Sequence, residues 1–500
     1  MIITPKNNPK QLLGIILQQF KIERLLFFLV CCIMIFGKNC DFSKYLLRFI
    51  MDKIKLLKER KEAVVSAGKT VREDIAALTD SGSFVELSAF SFSKNSFYEE
   101  DAFGEGVVTG FATIGGYPFY IVAQNFAVCN GGLSKANCEK IAKTLNCAEK
   151  NETPVVYLLS SHGVRVGEGV SVLEGISSLL LKATQLKGTV AQYAVVNGEV
   201  YGSSAALASV CDCVFFTEKS VLCTHSPFVL TAKAGKNDAK TAIGGYQAIK
   251  ESALPALSVS SIQEASNVIS QITSLINEPM IDADLNQPVP ALNQASGADE
   301  IVKIIENGVE LGANCSPEVK TVIGRVGGIS VAAIVFNDVR LNALNVKKIK
   351  NFAEFACCYG LPLVTFVDCV GIEASIQVND SSVLKEIAEY LSILDAIDTA
   401  KIAVISGKAV GLGYSLFAAK SVGFDYTVAF ANAQISLFEK EVGAEIELNA
   451  SAGQKEEVEK MYLEEASDTF HAAKNGYLDD IIEPKFVKQY LIASLQMLIK

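Results

Sequence analysis

Short apolar runs that lead into glycines recur along this chain and predict buried strands followed by helices. Residues 193–196 and 402–405 are apolar, and Gly198 and Gly407 follow them closely. Those two glycines lie 209 residues apart, as do Gly202 and Gly411. Solenoid repeats are roughly 20 to 50 residues long, so the spacing instead indicates a duplicated domain.

The same order of predicted elements occurs in both halves of the chain. We expect a surface helix over 51–78. In the first half we then expect strands at 106–113, 118–124 and 154–159, with helices at 134–150 and 170–185. In the second half we expect strands at 319–326, 330–335 and 362–367, with helices at 346–359 and 381–394. The pairs Gly115-Gly116 and Gly327-Gly328 predict hairpins. This order predicts a layered α/β fold with two tandem domains.

Domain boundaries are expected where periodicity is lost. The segment from Asn277 to Glu300 is rich in Pro, Asn and Gln and predicts a linker. We therefore expect a first domain over 51–280, a linker over 281–300 and a second domain over 301–500.

The first fifty residues differ in character from the rest. The apolar run 25–36 is shorter than the roughly 20 residues of a membrane helix. It resembles the apolar region of a signal peptide, but the small residues of a cleavage site are missing. We interpret residues 1–50 as an atypical apolar extension produced by an upstream translation start, with the functional chain starting at Met51.

Composition excludes several classes of function. Fifty-five acidic residues outnumber 45 Lys and Arg, for a net charge of -10, and this argues against a nucleic-acid partner. Thirteen cysteines and three histidines show no paired metal-binding spacing, so we expect no metal. The cysteines lie mostly in apolar runs, which favours buried free thiols and a cytoplasmic protein.

The two glycine-bearing turns carry the candidate chemistry. The first N–H groups of a helix have no partner within it, and with the helix dipole they attract negative charge. Glycine lets a ligand oxygen approach the backbone closely. The alternative is that these glycines only permit tight packing, but their matched positions favour a ligand site in each half.

Three further motifs carry a family resemblance over about residues 51–500. Residues 80–87 resemble the family's opening strand. Residues 104–110, Gly-Glu-Gly-Val-Val-Thr-Gly, resemble the family motif Gly-Asp-Gly-Val-Val-Thr-Gly. Residues 472–484 resemble the family's terminal motif Ala-x-x-x-Gly-Tyr-x-Asp-x-Ile-Asp-Pro. The chain thus resembles the carboxyltransferase subunits of biotin-dependent acyl-CoA carboxylases, and of the related sodium-pumping acyl-CoA decarboxylases.

The resemblance implies a fold, an activity and partners. It implies two crotonase-like domains of strand-strand-helix units, in a homo-oligomer, either a dimer with shared active sites or a hexamer. The implied activity moves a carboxyl group between carboxybiotin and the α-carbon of a short acyl-CoA such as acetyl-, propionyl- or methylmalonyl-CoA, in fatty acid or propionate metabolism. The chain has no biotinylation motif and no ATP-binding loop, so a separate biotin carboxyl carrier protein and a biotin carboxylase subunit are the expected partners.

Site residues of the first domain are implied by two aligned motifs. Residues 160–169 fall on the family's Asp-Ser-Gly-Gly-Ala-Arg-Ile-Gln-Glu-Gly, which makes the N–H groups of His162 and Gly163 the first oxyanion donors and adds Arg165 to the substrate site. Residues 198–204 fall on Gly-Pro-Cys-Ala-Gly-Gly-Ala. The resemblance thereby adds Gly198, Gly202 and Ser203 as substrate-binding residues.

The second domain supplies the matching set. Residues 367–371 fall on Val-Asp-Val-Pro-Gly and 410–414 on Tyr-Gly-Gly-Ala-Tyr. The implied second oxyanion donors are the N–H groups of Leu412 and Gly413. The implied substrate-binding residues are Asp368, Gly371 and Gly411.

The chain departs from the family at these same positions. His162 and Leu412 replace family glycines and Val370 replaces a proline, and a side chain forced to positive φ would be strained by roughly 1 to 3 kcal/mol. His162 is either a general acid or base or a residue that shapes the pocket, and we favour the second because biotin removes the proton in this family. We interpret Arg165 and Glu168 as a structural ion pair and Asp368 as the acceptor of an Asx-type turn.

Two other functions stay open. The chain could be the decarboxylase subunit of a sodium pump with a separate membrane subunit. Alternatively, the replaced glycines could mark a catalytically degenerate paralogue that acts as a structural partner in a carboxylase complex.

Overall fold

A computed structural model describes residues 41–91, 102–235, 244–250, 252, 254–281, 287–373, 381–446, 455–466 and 469–499. The chain divides into two compact units, one ending at Ala67 and the other starting at Gly68. Helix α1 (Asp41–Ala67) belongs to the first unit and runs without a break through Met51. The helix predicted over 51–78 is therefore wrong in its continuity, because Gly68 separates α1 from α2 (Lys69–Leu78).

The first half of the second unit is built around one sheet. Its elements after α2 are β1 (Val85–Leu87), β2 (Val107–Ile114), β3 (Tyr117–Gln124), α3 (Lys135–Lys150), β4 (Val155–Ser161), α4 (Ser171–Gln185), β5 (Gln192–Tyr201), α5 (Ser203–Val210), β6 (Cys213–Phe216), β7 (Val221–Cys223), α6 (Pro227–Ala234), α7 (Tyr246–Lys250), β8 (Ala256–Ser258) and α8 (Ile262–Asn277). The strand order is β1-β2-β3-β4-β5-β6-β8, and β7 pairs with β5. Strands β3 to β6 are parallel, so their carboxyl ends share one edge.

The second half repeats this arrangement. Its elements are α9 (Ala298–Val302), β9 (Glu306–Glu310), β10 (Val319–Val326), β11 (Ile329–Phe336), β12 (Val339–Leu341), α10 (Ala343–Cys358), β13 (Leu363–Ile372), α11 (Ser381–Ala396), β14 (Lys401–Val410), α12 (Leu412–Phe417), β15 (Tyr426–Phe430), β16 (Gln434–Ser436), α13 (Lys440–Ile446), α14 (Lys455–Ala466), α15 (Thr469–Lys474), β17 (Asp480–Ile482) and α16 (Val487–Leu498). The order is β17-β15-β14-β13-β11-β10-β9, with β12 on β13 and β16 on β14. The predicted α/β class is confirmed.

Both predicted hairpins are present and use the same turn. Gly115 and Gly116 have φ of 58° and 84°, and Gly327 and Gly328 have φ of 57° and 83°. Two consecutive positive φ angles define the turn that matches the twist of antiparallel strands, and glycine adopts them without strain. β2–β3 and β10–β11 are therefore in register along their full lengths.

The larger hydrophobic core joins the two halves. It extends from Val71 through Tyr193 and Phe215 of the first sheet to Phe366 and Leu495 of the second half. A second cluster fills the opposite face of the first sheet under α3 and α4. Each fully buried aliphatic or aromatic side chain contributes about 1.5 to 3 kcal/mol, so the sheets are held firmly enough to position the turns at their edges.

Residues 287–300 of the predicted linker are not a loose connection. Leu292 is buried and the Val289 N–H donates to the Lys485 carbonyl at 2.8 Å. Residues 290–293 form a 3-10 turn that contacts a similar turn at 484–486. The proline-rich composition thus reflects a tightly docked segment, which the sequence alone did not distinguish from a linker.

Among the described residues, no helix is long and apolar enough to cross a membrane. The apolar run at 25–36 lies outside the described residues.

Candidate active site

One sharp turn follows strand β4, another lies near the carboxyl end of strand β13, and the two have the same kind of internal hydrogen bond. The Gly163 N–H donates to the Ser161 hydroxyl at 3.1 Å, and the Gly371 N–H donates to the Cys369 thiol at 3.4 Å. Gly163 and Gly371 have φ of 110° and 90°, a conformation that favours glycine. The turns are matched 208 residues apart.

These contacts correct the implied first oxyanion pair. The His162 N–H donates to the Asn130 carbonyl at 3.0 Å, and the Gly163 N–H is engaged as above. Neither N–H group is available to a ligand in this conformation. Both donors instead stabilise the turn that leaves β4.

Unpaired N–H groups occur where the strands β5 and β14 pass into helices. Gly202 and Gly411, with φ of 61° and 51°, precede the helices, so the strand-to-helix glycines are these two rather than Gly198 and Gly407. Their own N–H groups donate to the Cys223 and Ser436 carbonyls at 3.1 and 3.0 Å.

The two N–H groups after each of these glycines have no acceptor among the described residues. They are those of Ser203 and Ser204 in the first half and those of Leu412 and Gly413 in the second. Each half therefore presents two adjacent backbone donors.

The expected strain at the replaced glycines is absent. His162, Val370 and Leu412 all have negative φ, whereas the glycines beside them carry the positive angles. Gly413 is required for a different reason, because a Cβ there would lie 2.8 Å from the Cys369 carbonyl oxygen. The leucine side chain at 412 is 46% exposed and leaves its own N–H in place.

Gly198 and Gly407 both lie within strands, but only Gly407 makes room for the neighbouring strand. A Cβ on Gly407 would lie 2.3 Å from Asp368 Oδ1, whereas one on Gly198 would lie 3.5 Å from Ser160 Oγ. Asp368 accepts a hydrogen bond from the Lys408 N–H at 2.8 Å, so the expected Asx-type turn is wrong and the carboxylate links β13 to β14. Burial raises the pKa of Asp368.

Arg165 is buried, and its guanidinium faces Glu105 and Glu168. Its guanidinium donates to the Glu105 carbonyl at 2.7 Å and lies 3.4 Å from the Glu105 carboxylate. The predicted ion pair with Glu168 is present at 3.8 Å, and Glu168 also accepts from the Lys135 N–H at the start of α3. The implied substrate-binding role of Arg165 is corrected to a structural one.

Comparisons with known proteins identify the family. The carboxyl transferase domain model matches residues 64–500. The chain belongs to the carboxyl transferase domain family. It is 27% identical to the methylmalonyl-CoA decarboxylase subunit alpha of Propionigenium modestum, over 88% of this chain and 92% of that one. It is also 27% identical to a putative propionyl-CoA carboxylase beta chain of Bacillus subtilis, over 86% and 90% of the two chains.

The fold is shared with a solved structure, the transcarboxylase 12S hexamer with methylmalonyl-CoA and methylmalonic acid bound. The TM-score is 0.82 at 22% identity, with 90% of this chain and 96% of that one covered. The expectation of two tandem crotonase-like domains is thereby confirmed for the carboxyl transferase domain of this chain.

His162 of the carboxyl transferase domain lies in a cluster that the sequence did not predict. Its Nε2 atom is 3.1 Å from Glu199 Oε2, and the Tyr201 hydroxyl donates to the same oxygen at 3.0 Å. The rings of Phe126 and Phe228 lie 4.9 and 6.4 Å from the imidazole. Glu199 was missed because only the pairing of β4 with β5 brings it beside His162.

A cavity of about 300 Å³ opens at the carboxyl ends of β3, β4 and β5. Its polar lining includes Asp74, Gln124, Ser160 and Asn197, and its lining residue Phe126 also packs against His162. The Asn197 amide donates to Asp74 at 2.8 Å, and burial raises the pKa of that carboxyl group. Local motifs did not single out Asp74, Gln124 or Asn197, since the lining residues come from four separate elements.

Gln124 connects the cavity to the first pair of donors. Its side chain accepts from the Ser160 N–H at 3.1 Å and donates to the Ser204 hydroxyl at 2.9 Å. The second half places Phe336 against Phe417 instead, with ring centroids 4.8 Å apart.

Proposed function

We propose that this chain is the carboxyltransferase subunit of a biotin-dependent acyl-CoA carboxylase. It moves a carboxyl group between carboxybiotin, held on a separate carrier, and the α-carbon of a short acyl-CoA. The observation that carries the proposal is the pair of unpaired N–H groups at Leu412 and Gly413, matched by those at Ser203 and Ser204. Relatives of the same family that act on methylmalonyl-CoA support the substrate class.

The two donor pairs suit a reaction with two developing oxyanions. One pair would stabilise the thioester oxygen when the α-carbon becomes an enolate, and the other the ureido oxygen of biotin. Preorganised N–H donors of this kind lower the barrier, and removing one typically costs 10²- to 10³-fold in rate. Carboxybiotin supplies the carboxyl group, while this chain orients the reacting groups and stabilises their charge.

Gly202 and Gly411 allow the reacting oxygens to reach the donors. Their positive φ angles turn the chain so that the following N–H groups lead the helix. In this proposal Ser203, Leu412 and Gly413 keep their implied roles, whereas Ser204 replaces His162 and Gly163 as a backbone donor.

We further propose a cytoplasmic homo-oligomer whose active sites are shared between subunits, with a biotin carboxyl carrier protein and a biotin carboxylase subunit as partners. Large apolar side chains are exposed beside both turns, including Val166 at 84%, Val170 at 76% and Leu437 at 64%. Exposed apolar groups of this kind are typical of subunit interfaces. The hexamer of transcarboxylase 12S supports the same arrangement.

The direction of the reaction is a second question for the same site. The decarboxylase and carboxylase relatives are equally similar, at 27% identity each. A sodium-pump decarboxylase subunit is therefore the second candidate, and it predicts net decarboxylation coupled to a membrane partner.

The test is decarboxylation of malonyl-CoA and methylmalonyl-CoA by the full chain with free biotin. We expect biotin-dependent turnover that falls at least 10²-fold in Gly413→Ala, whose added methyl would displace the turn away from Cys369. Gly297→Ala is the matched control, because Gly297 has φ of -69° and an added Cβ there would meet no atom within 4 Å. A folded protein that binds CoA without turnover would indicate the degenerate paralogue instead.

A further inference from the structure

Three departures from the family motifs meet in one place. His162 stands where the family has glycine, Glu199 where it has proline and Tyr201 where it has alanine. Their side chains contact one another, although His162 and Glu199 are 37 residues apart. Independent replacements that only filled space would not need to form one hydrogen-bonded set.

The geometry of the set orients the imidazole. Glu199 Oε2 is 3.1 Å from His162 Nε2 and 3.0 Å from the Tyr201 hydroxyl, so a single carboxylate oxygen holds both groups. With Nε2 protonated and donating to Glu199, the Nδ1 lone pair is the one that can accept a proton. Burial and the Glu199 carboxylate raise the pKa of Tyr201, so its hydroxyl stays a donor.

The surroundings allow access to the imidazole. The His162 side chain is 25% exposed and Glu199 28%, whereas Tyr201 is buried. The ionisable groups that face the imidazole among the described residues are Glu199 and Tyr201, and the uncharged rings of Phe126 and Phe228 complete its surroundings. Phe126 also lines the 300 Å³ cavity at the strand ends.

We propose that His162 is a general base that exchanges the α-proton of a bound acyl-CoA with solvent in the absence of biotin, and that Glu199 and Tyr201 are positioning residues. The substrate class rests on the proposed function. The proton passes from the α-carbon to the imidazole nitrogen, and the C–H electron pair moves into the thioester to give the enolate. The reverse transfer returns a solvent proton to the α-carbon, so no oxidant or co-reactant is consumed.

The experiment incubates the full chain with propionyl-CoA in D2O without biotin and follows deuterium at the α-carbon by mass spectrometry. We expect exchange that falls by 10²- to 10⁴-fold in His162→Gly, the usual contribution of a positioned base. Because His162→Gly restores the family residue, biotin-dependent decarboxylation of methylmalonyl-CoA should persist in it. His471→Asn, an exposed histidine on α15, should leave both activities unchanged.

The variant Glu199→Gln tests whether the Glu199 carboxylate assists the imidazole of His162 or only packs against it. The amide can still accept from the imidazole and from Tyr201, but it lacks the charge that favours a protonated imidazole. We expect Glu199→Gln to lower the exchange rate at saturating propionyl-CoA with little change in the half-saturating concentration, and Tyr201→Phe to lower that rate less.

The outcomes distinguish the two proposals. The role of His162 is overturned if the wild-type protein decarboxylates with biotin but does not exchange the α-proton without it. It is also overturned if exchange survives in His162→Gly. Either result leaves the proposed function standing. Failure of both reactions in the wild-type protein overturns both.

Discussion

Tyr359 donates a hydrogen bond to Asp212 over 2.6 Å, and this contact joins the two halves of the repeat. Tyr359 follows α10 of the second half, whereas Asp212 precedes β6 of the first. The same carboxylate oxygen accepts the Gln192 N–H at 2.8 Å, and a cavity of about 120 Å³ lies beside it. Burial raises the pKa of Asp212 from 3.8 to about 6, despite both hydrogen bonds.

This raised pKa predicts a pH-dependent stability. Between about pH 4 and 6 the folded protein binds a proton at Asp212 that the unfolded chain releases, so stability falls as the pH rises through this range. Asp212→Asn keeps an oxygen acceptor and removes the titration. We expect the thermal unfolding midpoint of the wild-type protein to fall relative to that of Asp212→Asn as the pH rises from 4 to 6. The expected loss in the free energy of unfolding is about 2 to 3 kcal/mol.

Tyr359→Phe tests the same contact from the other side. Loss of a donor to a buried carboxylate should destabilise the protein by about 1 to 3 kcal/mol above pH 6. The cost should shrink at lower pH, where the carboxyl group is protonated. A midpoint difference that is constant with pH in both variants would contradict the assigned role of Asp212.

Lys140 and Lys348 predict the opposite pH dependence. They lie 208 residues apart, and each buried ammonium donates to main-chain carbonyls, including those of Val107 and Val319 at 2.6 Å. Desolvation lowers the pKa of each lysine from 10.5 to about 8. Between pH 8 and 10.5 the unfolded chain binds protons that the folded one does not, so these groups add stability as the pH rises.

The measurement compares thermal unfolding of the wild-type protein with Lys348→Met across that range. The wild-type midpoint should rise relative to the variant, since methionine removes the titration. Lys347→Met is the matched control, because Lys347 is exposed on the same helix. An equal trend in both variants would show that the buried lysine is not the source.

Gly407→Ala should destabilise the second sheet by about 1 to 3 kcal/mol through overpacking. The added Cβ would lie 2.3 Å from the Asp368 carboxylate. Asp368→Ser introduces the residue found at the matched position Ser160, and it should relieve much of that cost in the double variant. Denaturant unfolding measures the free energy of unfolding of the two single variants and the double variant. If the loss in the double variant equals the sum of the two single losses, this close contact is contradicted.

Arg165→Lys should affect stability more than substrate binding. Lysine cannot reproduce the planar set of donors that reaches Glu105 and Glu168, and a disrupted buried ion pair typically costs about 3 to 5 kcal/mol. We expect a lower unfolding midpoint with little change in KM for acyl-CoA. A raised KM at unchanged stability would restore the substrate-binding role that the sequence implied.

The local sequence pattern was enough to predict the duplicated α/β fold and most element positions. Strand β10 was predicted over 319–326 and occupies those residues, because a run of buried apolar residues with a glycine pair after it has few other structures. The paired glycines at 115–116 and 327–328 determined both hairpins for the same local reason. The break at Gly68 and the docking of residues 289–293 were not predicted, since both depend on contacts beyond the local pattern.

Which groups at the candidate site are available follows from contacts between distant segments of the chain. The His162 N–H is occupied by Asn130, which lies 32 residues away, and its imidazole is held by Glu199, which lies 37 residues away. The contact with Glu199 depends on the register of β4 against β5, where a shift at Ser161 places it opposite Val200. Local periodicity specifies which residues form a strand and which face is apolar, but the register between strands follows from the packing of the whole sheet.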